Sequence, residues 1–395
     1  MRVGYFVTHF PYENQFNDER YIANYVCSGG EIAAYELASS MARRGHEITI
    51  FTTSIEQKDS MEEHNNLSIY RYGAKFKIGD IHISFGLFRK PLEHDVDIVH
   101  AHHTTAPGVI AALIYARKMK KPLILTHHGF ERFDHYGDPI RRLSVSINAA
   151  FLVNRFLSAA SIIISPSAEF VEESRFLWRH KDKVRVIPNG INLADFDVTD
   201  SKEECRQKLG LPLTGNLILF LGSLVPRKGP DILVKALPEI IKGVPEVVLI
   251  CGGKGVLRTK LEDRAKELGV ERFVRFAGFI TNDLKPLYLR AADIFVLPST
   301  LSVEVFPIGL LEASAAGIPM VVSDLKAFSC IIKEGYNGIV TKRGDEHELA
   351  NAIVHLLKNQ ELRDKMSKNA KKEAEDFSWE RIAAETEALY YGVRA

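Results

Sequence analysis

The sequence of 395 residues predicts two α/β domains, each built around a mostly parallel β-sheet. Short apolar runs rich in β-branched residues alternate with longer helical patterns in both halves of the chain. These runs are nearly continuously apolar, as expected for strands that are covered on both faces. The length, at roughly 100–200 residues per domain, indicates two or three domains. Together these features predict strands and helices in alternation, and therefore parallel sheets.

Six strands are predicted in each half of the chain. In the first half they are Arg2–Thr8, Glu47–Thr53, Asp97–His103, Leu123–His128, Ser161–Ser167 and Val184–Pro188. In the second half they are Asn216–Gly222, Val247–Gly252, Val274–Gly278, Ile294–Pro298, Met320–Ser323 and Gly338–Thr341.

The segments between the strands have helical patterns. The first helix opens at Ser28-Gly29-Gly30-Glu31, where Ser28 and Glu31 form a capping-box pattern, and it ends at Gly45. The chain is helical in pattern from Asp345 onward. The boundary between the two domains falls within Pro188–Pro212, which combines turn residues with a charged stretch.

The composition excludes several classes of protein. Lys and Arg number 51 against 50 Asp and Glu, so the net charge of +1 argues against a dedicated nucleic-acid-binding protein. The four cysteines, Cys27, Cys205, Cys251 and Cys330, form no Cys-x-x-Cys pair and disfavour a local zinc site. The sequence has no secretory signal pattern and no run of about 20 apolar residues. We therefore expect a soluble cytoplasmic protein.

Ligands of parallel sheets bind outside the carboxyl ends of the strands, so the loops after strands are the candidate sites. After the first strand, Gly29 and Gly30 stand at a helix N-terminus, which can bind a phosphate or simply permit a tight turn. A G-x-G-x-x-G motif is absent there, which disfavours a dinucleotide-dependent oxidoreductase.

Histidines end two strands, as His100-Ala101-His102-His103 and His127-His128-Gly129. A metal site and a polar wall of a cleft are both consistent with them, and the lack of nearby acids favours the polar wall. His128 precedes a glycine, which allows a substrate to approach closely. Asp95 and Asp97 are interpreted as a solvated strand entry rather than a metal site.

Cationic, glycine-rich loops follow two strands of the second half. Arg227 and Lys228 precede Gly229 after one strand, and Gly252-Gly253-Lys254-Gly255 follows the next. Such loops bind phosphate or are merely solvated turns, and in isolation the solvated turn would be favoured.

The segment from Pro298 to Ala313 is the most informative. Glu304 lies in a loop and Glu312 in the helix that follows, so two carboxylates can contact separated hydroxyl groups of one ligand. Between them, the N–H groups of Ile308, Gly309 and Leu310 are expected to be free for a phosphate. Together with the cationic loops, this pattern favours a ligand with hydroxyls at both ends and charge in the middle, such as a nucleotide-sugar.

In their order along essentially the whole chain, these motifs resemble the family 4 retaining glycosyltransferases. The segments that carry the resemblance are Ser28–Glu31, His100–His102, Thr126–Gly129, Val186–Ile191, Pro226–Gly229, Glu304–Glu312 and Phe377–Trp379. The resemblance implies an α/β GT-B fold, in which two facing, doubly wound Rossmann-like domains enclose a cleft. It implies an acceptor-binding domain at 1–195, a nucleotide-sugar-binding domain at 196–376, and a final helix at 377–395 that returns to the first domain.

The resemblance also implies roles for individual residues. His128, Glu304 and Lys228 would be catalytic, with Glu304 on sugar hydroxyls and His128 beside the reacting sugar. Glu312 would bind the ribose, Lys228 and Arg227 the diphosphate, and His102 and His103 the acceptor. The remaining donor-binding residues would be Gly29, Gly30, Gly253, Phe306, Ile308, Gly309 and Leu310. No metal and no cofactor are implied. Ser223 and Pro307 depart from the family pattern, which has arginine and glycine at these positions in many members.

The function implied is transfer of a hexosyl unit, with retained configuration, from GDP-mannose, UDP-glucose or UDP-N-acetylglucosamine to an acceptor hydroxyl. A nucleotide-sugar epimerase and a non-catalytic nucleotide-sugar-binding module are the alternatives.

The stretch from Asp138 to Glu169 has no acid between its ends, while Arg141, Arg142 and Arg155 stand among apolar residues. The sequence favours a core helix with exposed arginines. The alternative is a basic amphipathic surface over 139–160 that contacts the inner face of a membrane and receives an anionic or lipid-linked acceptor.

Overall fold

The computed structural model describes residues 1–12, 25, 29–64, 66–129, 148–301 and 305–394. The chain forms two compact units, one of Met1–Gly190 with Trp379–Ala395 and the other of Ile191–Ser378. These limits differ by a few residues from the boundaries that we predicted at 195 and 376. Within the second unit, the Ile191 N–H donates to the Phe377 carbonyl at 2.8 Å, and Ile191 pairs with Ser378. The two points where the chain leaves this unit are therefore adjacent.

The first unit contains an eight-stranded sheet among its described residues. Its strands are β1 (Arg2–Phe6), β2 (Glu47–Thr53), β3 (Ser60–His64), β4 (Leu67–Tyr72), β7 (Ile98–His103), β8 (Leu123–His127), β9 (Ile162–Ser165) and β10 (Val184–Val186). They lie in the order β10-β9-β8-β7-β1-β2-β4-β3, and the described pairs are parallel except β3–β4. A separate antiparallel hairpin consists of β5 (Phe76–Ile78) and β6 (Ile81–Ile83).

Helices cover this sheet. They are α1 (Gly29–Arg43), α2 (Ala106–Met119), α3 (Asn154–Ala159), α4 (Ala168–Glu173) and α5 (Arg175–Trp178), with a π-helical turn at Asn148–Val153. The buried side of α1 carries Ala33, Leu37 and Met41, which are four residues apart as the sequence indicated.

The second unit contains a six-stranded parallel sheet among its described residues. Its strands are β11 (Asn216–Leu221), β12 (Val247–Gly252), β13 (Val274–Gly278), β14 (Ile294–Leu297), β15 (Met320–Ser323) and β16 (Gly338–Thr341), in the order β13-β12-β11-β14-β15-β16. The helices are α6 (Lys202–Lys208), α7 (Pro230–Gly243), α8 (Arg258–Glu267), α9 (Lys285–Ala291), α10 (Ile308–Ala315), α11 (Glu346–Lys358) and α12 (Gln360–Glu375).

The last helix, α13 (Trp379–Arg394), belongs to the first unit. The Tyr390 hydroxyl lies 2.7 Å from the Tyr5 hydroxyl of β1 and 2.6 Å from Nδ1 of His100 in β7. Glu387 pairs with Arg44 and His46 at the end of α1. Buried polar contacts of this kind require matching partners, so they fix the position of α13 on the sheet. Within the described chain, no helix combines the length and apolar character needed to span a bilayer.

Both sheets change winding direction at one point. In the first unit, β2, β4 and β3 lie on one side of β1, and the later strands β7 to β10 lie on its other side. In the second unit the corresponding pair is β11 and β14. The loops after these strands diverge above the sheet, and ligands of such folds bind there. These loops carry most of the residues that the sequence singled out.

Candidate functional site

Three loops of the second unit meet at the carboxyl ends of β11, β12 and β14. The loop after β11 contains a 3₁₀ turn at Pro226–Lys228, and the Thr300 N–H, from the loop after β14, donates to the Arg227 carbonyl at 2.8 Å. The Leu224 N–H donates to the Lys254 carbonyl, from the loop after β12, also at 2.8 Å. The phosphate-binding candidates Arg227 and Lys228 are thus held on a framework of backbone hydrogen bonds.

Gly253 is required by this framework. Its φ is +141°, and a β-carbon built on it would lie 1.9 Å from the Gly222 carbonyl oxygen. Any side chain would force the loops after β11 and β12 apart. Lys228 is half-buried, and its Cδ and Cε atoms lie 3.9 Å from the position of a β-carbon on Gly222. Its side chain therefore passes over the glycine loop.

The start of α10 corrects one prediction. We expected the N–H groups of Ile308, Gly309 and Leu310 all to be free, but two of them donate within the turn at Pro307. Ile308 donates to the Phe306 carbonyl at 3.1 Å, and Leu310 to the Pro307 carbonyl at 2.9 Å. Among the described residues, Gly309 is the one of the three with no backbone acceptor.

Phe306, which we predicted to bind the donor, has a side chain that belongs to the core. Its side chain is buried in the core of the second unit, with its ring centroid 6.0 Å from that of Phe377. Its side chain therefore contributes to packing at the entry to α10. Glu304, the carboxylate predicted to bind sugar hydroxyls, lies outside the described residues.

Glu312 has a partner that the sequence did not reveal. Its Oε1 accepts from the ammonium group of Lys285, the first residue of α9, at 2.5 Å. The two side chains remain 16% and 21% exposed, so the pair stands at the edge of the site rather than in the core. The residues are 27 positions apart and come from different helices, so no local pattern links them. The pair holds Glu312 in one orientation.

In the first unit, the start of α1 contacts His128. A β-carbon on Gly30 would lie 2.8 Å from Cγ2 of Thr104 and 3.1 Å from Cγ of His128. The candidate residues Gly30 and His128, 98 positions apart, are thereby brought together beside the winding switch of the sheet. Ser28, the predicted helix cap, lies outside the described residues, as does Cys27.

The histidines form hydrogen-bonded pairs. His128 Nε2 lies 3.1 Å from His102 Nδ1, and the two rings are stacked. His103 Nδ1 lies 2.8 Å from His127 Nδ1. His100 bonds through Nδ1 to Tyr390 and through Nε2 to Thr126 Oγ1, at 2.6 Å and 2.7 Å.

The burial of these rings revises the roles predicted for His102 and His103. His102 is 1% exposed and His103 is fully buried, whereas His128 is half-buried. We predicted acceptor contacts for His102 and His103, but side chains inside the unit do not present their ring nitrogens to an acceptor. His102 instead supports His128 through their shared hydrogen bond.

His100, His102 and His128 are neutral at neutral pH. Removal from water lowers the pKa of His100 and of His128 to about 3, and a neighbouring histidine adds to each shift. The pKa of His102 is also well below its ordinary value, chiefly because of burial. Neutral rings serve as hydrogen-bond donors and acceptors rather than as cations. No group of three His, Cys, Asp or Glu side chains arranged to hold a metal occurs in the described part of the chain.

These pKa values predict acid instability of the first unit. In the unfolded chain, a histidine takes up a proton near pH 6.5, whereas His100 and His128 in the folded unit do so near 3. Stability is therefore complete above pH 6.5 and falls as the pH drops toward 3, by up to about 1.4 kcal/mol per pH unit for each histidine. Urea unfolding monitored at about pH 7 and about pH 5 measures the difference. Equal midpoints at the two pH values would contradict neutral burial, and His100→Gln should reduce the dependence.

The stretch at 139–160 is described only from residue 148 onward. There, Val153, Phe156 and Leu157 are buried, while Phe151 is 73% exposed and Arg155 is exposed. Arg141 and Arg142 lie outside the described residues. The described part has one side in the core, and it exposes one aromatic and one basic side chain.

Comparison with known proteins agrees with this architecture. The family model for Glycosyltransferase Family 4 matches residues 27–195, and that for Glycosyl transferases group 1 matches residues 201–373. An uncharacterized glycosyltransferase of Methanocaldococcus jannaschii is 32% identical over 380 residues, which cover 92% of this chain and 94% of that protein. The alpha-monoglucosyldiacylglycerol synthase of Streptococcus pneumoniae is 29% identical over 370 residues, covering 90% and 78%.

Among solved structures, HepE of Anabaena in complex with UDP-glucose superposes with a TM-score of 0.72. It is 20% identical, and the match covers 98% of this chain and 100% of that one. This likeness shows the fold, which is the GT-B fold of glycosyltransferases. The chain belongs to the group 1 glycosyltransferases of family 4.

Proposed function

We propose that this glycosyltransferase moves a hexosyl unit from a nucleotide-diphosphate sugar to an acceptor hydroxyl and retains the anomeric configuration. The observation that carries the proposal is the meeting of three loops at the winding switch of the second sheet. These loops bring two cations, a close backbone approach at Gly253 and the start of α10 to one edge of the sheet.

The donor is assigned to this edge. Lys228 and Arg227 bind the diphosphate, with the Gly309 N–H as a further donor at the start of α10. Glu312, oriented by Lys285, accepts from the ribose hydroxyls, and Glu304 accepts from the sugar. In the reaction, the bond between the anomeric carbon and the diphosphate oxygen breaks. A bond to the acceptor oxygen forms, and the acceptor proton is released. Cations at the leaving diphosphate lower the barrier because negative charge develops there, so the proposal needs no metal.

His128 is assigned to the reacting sugar. It is the half-buried member of the histidine pairs, and its contact with Gly30 places it at the start of α1. A neutral imidazole held by His102 can form a directed hydrogen bond with a sugar hydroxyl. Any side chain at Gly30 would collide with Thr104 and His128, so the glycine lets the start of α1 pack against the imidazole.

For the donor and the acceptor, we propose chemical classes of compound. HepE of Anabaena was solved with UDP-glucose, which makes a UDP-sugar the first candidate before GDP-mannose. The Streptococcus pneumoniae relative is named for glucosylation of a diacylglycerol lipid, which supports a lipid-linked acceptor reached at the membrane surface.

Product analysis tests the proposal against its alternatives. The protein is incubated with UDP-glucose, UDP-N-acetylglucosamine or GDP-mannose, with and without vesicles that contain diacylglycerol, and the products are identified by NMR. A transferase forms an α-linked glycolipid and nucleoside diphosphate only when the vesicles are present. An isomerised donor without acceptor would indicate an epimerase. Thermal stabilisation by a donor with no turnover under any condition would indicate a binding module and contradict the proposal.

A further inference from the structure

We propose that the β5–β6 hairpin of the first unit docks on the anionic surface of a lipid bilayer. The docking surface, called the outer hairpin face below, consists of Phe76, Ile78, Ile81, Ile83 and Phe85. The proposal goes beyond the transfer reaction and does not depend on the identity of the acceptor.

The register of the hairpin determines which side chains share a face. Phe76 pairs with Ile83 and Ile78 with Ile81, so these four side chains lie on one face, because side chains alternate along a strand. Lys77 pairs with His82 on the opposite face. His82 is 3% exposed, and its Nδ1 lies 3.2 Å from Nε2 of His9 in the loop after β1. The hairpin therefore turns its histidine toward the protein and its apolar face outward.

The exposure of the apolar face is unusual for a hairpin that packs on a domain. Phe76 is 46% exposed, Ile78 56% and Phe85 58%, while Ile81 and Ile83 are half-buried. The rings of Phe76 and Phe85 lie 6.0 Å apart, which makes the surface continuous. A half-buried hairpin normally places its apolar residues inward and its polar residues in water. A contiguous apolar surface facing water indicates a binding surface.

The charges around this surface favour an anionic bilayer over other apolar partners. Lys75, Lys77, Arg89 and Lys90 lie within residues 75–90, where Asp80 is the single acid. Lys75 and Arg89 are exposed, Lys77 is exposed on the opposite face of the hairpin, and Lys90 pairs with Asp59. Aromatic and aliphatic side chains bordered by lysine and arginine match the interface of a membrane, where apolar groups enter the acyl boundary and cations meet anionic headgroups.

The hairpin lies at the same edge of the first sheet as the candidate site residues of this unit. The hairpin follows β4, which runs parallel to β2, so it lies at the edge where the parallel strands end. His128 and the loop after β1 lie at this same edge, and the His82–His9 contact links the hairpin to that loop. Docking would therefore orient the carboxyl ends of the strands toward the bilayer.

Vesicle sedimentation tests the proposal with the full chain. Vesicles of phosphatidylcholine mixed with phosphatidylglycerol are compared with vesicles of phosphatidylcholine alone. We expect the protein to bind the anionic vesicles and the triple variant Phe76→Ser, Ile78→Ser, Phe85→Ser to partition at least about tenfold more weakly. Lys75→Ala should weaken binding by about fivefold, and this loss should shrink as salt increases. In Phe76→Trp, brominated lipid should quench more of the tryptophan fluorescence than it does in the native protein, which has two tryptophans.

Matched variants separate this surface from others. Trp178, the last residue of α5, is an exposed aromatic residue with the Lys181 ammonium over its ring. The variant Trp178→Ser should bind anionic vesicles as well as the native protein. Phe151→Ser removes the exposed aromatic of the 139–160 stretch. The proposal is overturned if the native protein does not bind anionic vesicles at low salt, or if the triple variant binds as well as the native protein. Loss of binding in Phe151→Ser alone would assign the contact to 139–160. An unchanged melting temperature of the triple variant excludes unfolding as the cause of a loss.

Discussion

Replacing Lys228 by alanine is expected to reduce the turnover number for sugar transfer by about a hundredfold to a thousandfold. The side chain of the half-buried Lys228 passes over the glycine loop after β11, and we propose that its ammonium group neutralises the leaving diphosphate. That charge grows as the bond to the anomeric carbon breaks, so the cation stabilises the transition state more than the bound donor. The effect should therefore appear mainly in kcat rather than in KM for the donor.

Lys235→Ala is the matched control for this variant. Lys235 lies on α7, a few residues after Lys228, and pairs with Asp231 at 3.8 Å on an exposed surface. A surface pair of this kind contributes little, so the control should keep its turnover and its melting temperature. Equal turnover in Lys228→Ala and Lys235→Ala would remove Lys228 from the catalytic machinery.

Replacing Arg71 by methionine is expected to lower the free energy of unfolding of the first unit by about 3–5 kcal/mol. Arg71 is fully buried on β4, and its guanidinium donates to the carbonyls of Phe10 and Pro11 at 2.6 Å and 2.7 Å. It also donates to Glu62 at 2.5 Å and lies 3.4 Å from the ring centroid of Tyr12. Methionine would leave the carbonyls of the buried residues Phe10 and Pro11 without their donor.

Tryptophan fluorescence in urea measures this effect selectively, because both tryptophans, Trp178 and Trp379, belong to the first unit. Arg117→Met is the control, since Arg117 is exposed at the end of α2 and its replacement should cost less than about 0.5 kcal/mol. A small effect for Arg71→Met would show that the loop after β1 is held by other contacts. Tyr25 is the alternative, since its hydroxyl accepts from the Phe10 N–H and donates to the Thr53 carbonyl.

Most strands of the two sheets could be predicted from the sequence because they are short, largely apolar runs between helical segments. The bounds of β2, β12, β13, β15 and β16 are those that the apolar runs indicated. The strands β3 to β6 were missed. The edge strand β3, with sequence SMEEH, is mostly polar, and β4 contains Arg71, whose burial depends on partners elsewhere in the chain. The strands β5 and β6 have three residues each and turn their apolar face outward, so neither length nor pattern indicated them.

The placement of candidate residues could be predicted where position after a strand was sufficient, as for Lys228 after β11 and Gly253 after β12. The contacts and burial of candidate residues could not be predicted where they depend on tertiary packing. Lys285 reaches Glu312 from another helix, and the burial of His102 and His103 follows from the packing around β7 rather than from the histidine-rich sequence. Phe306 stands within the most informative motif, yet its ring belongs to the core because the chain turns at Pro307 before α10 begins.

Hydrogen–deuterium exchange with and without UDP-glucose tests the central claim that the second unit binds the donor at the carboxyl ends of its strands. We expect donor-dependent protection in three segments, 222–229, 252–257 and 305–312. Protection confined to other segments, or none with UDP-glucose, UDP-N-acetylglucosamine and GDP-mannose alike, would contradict the account.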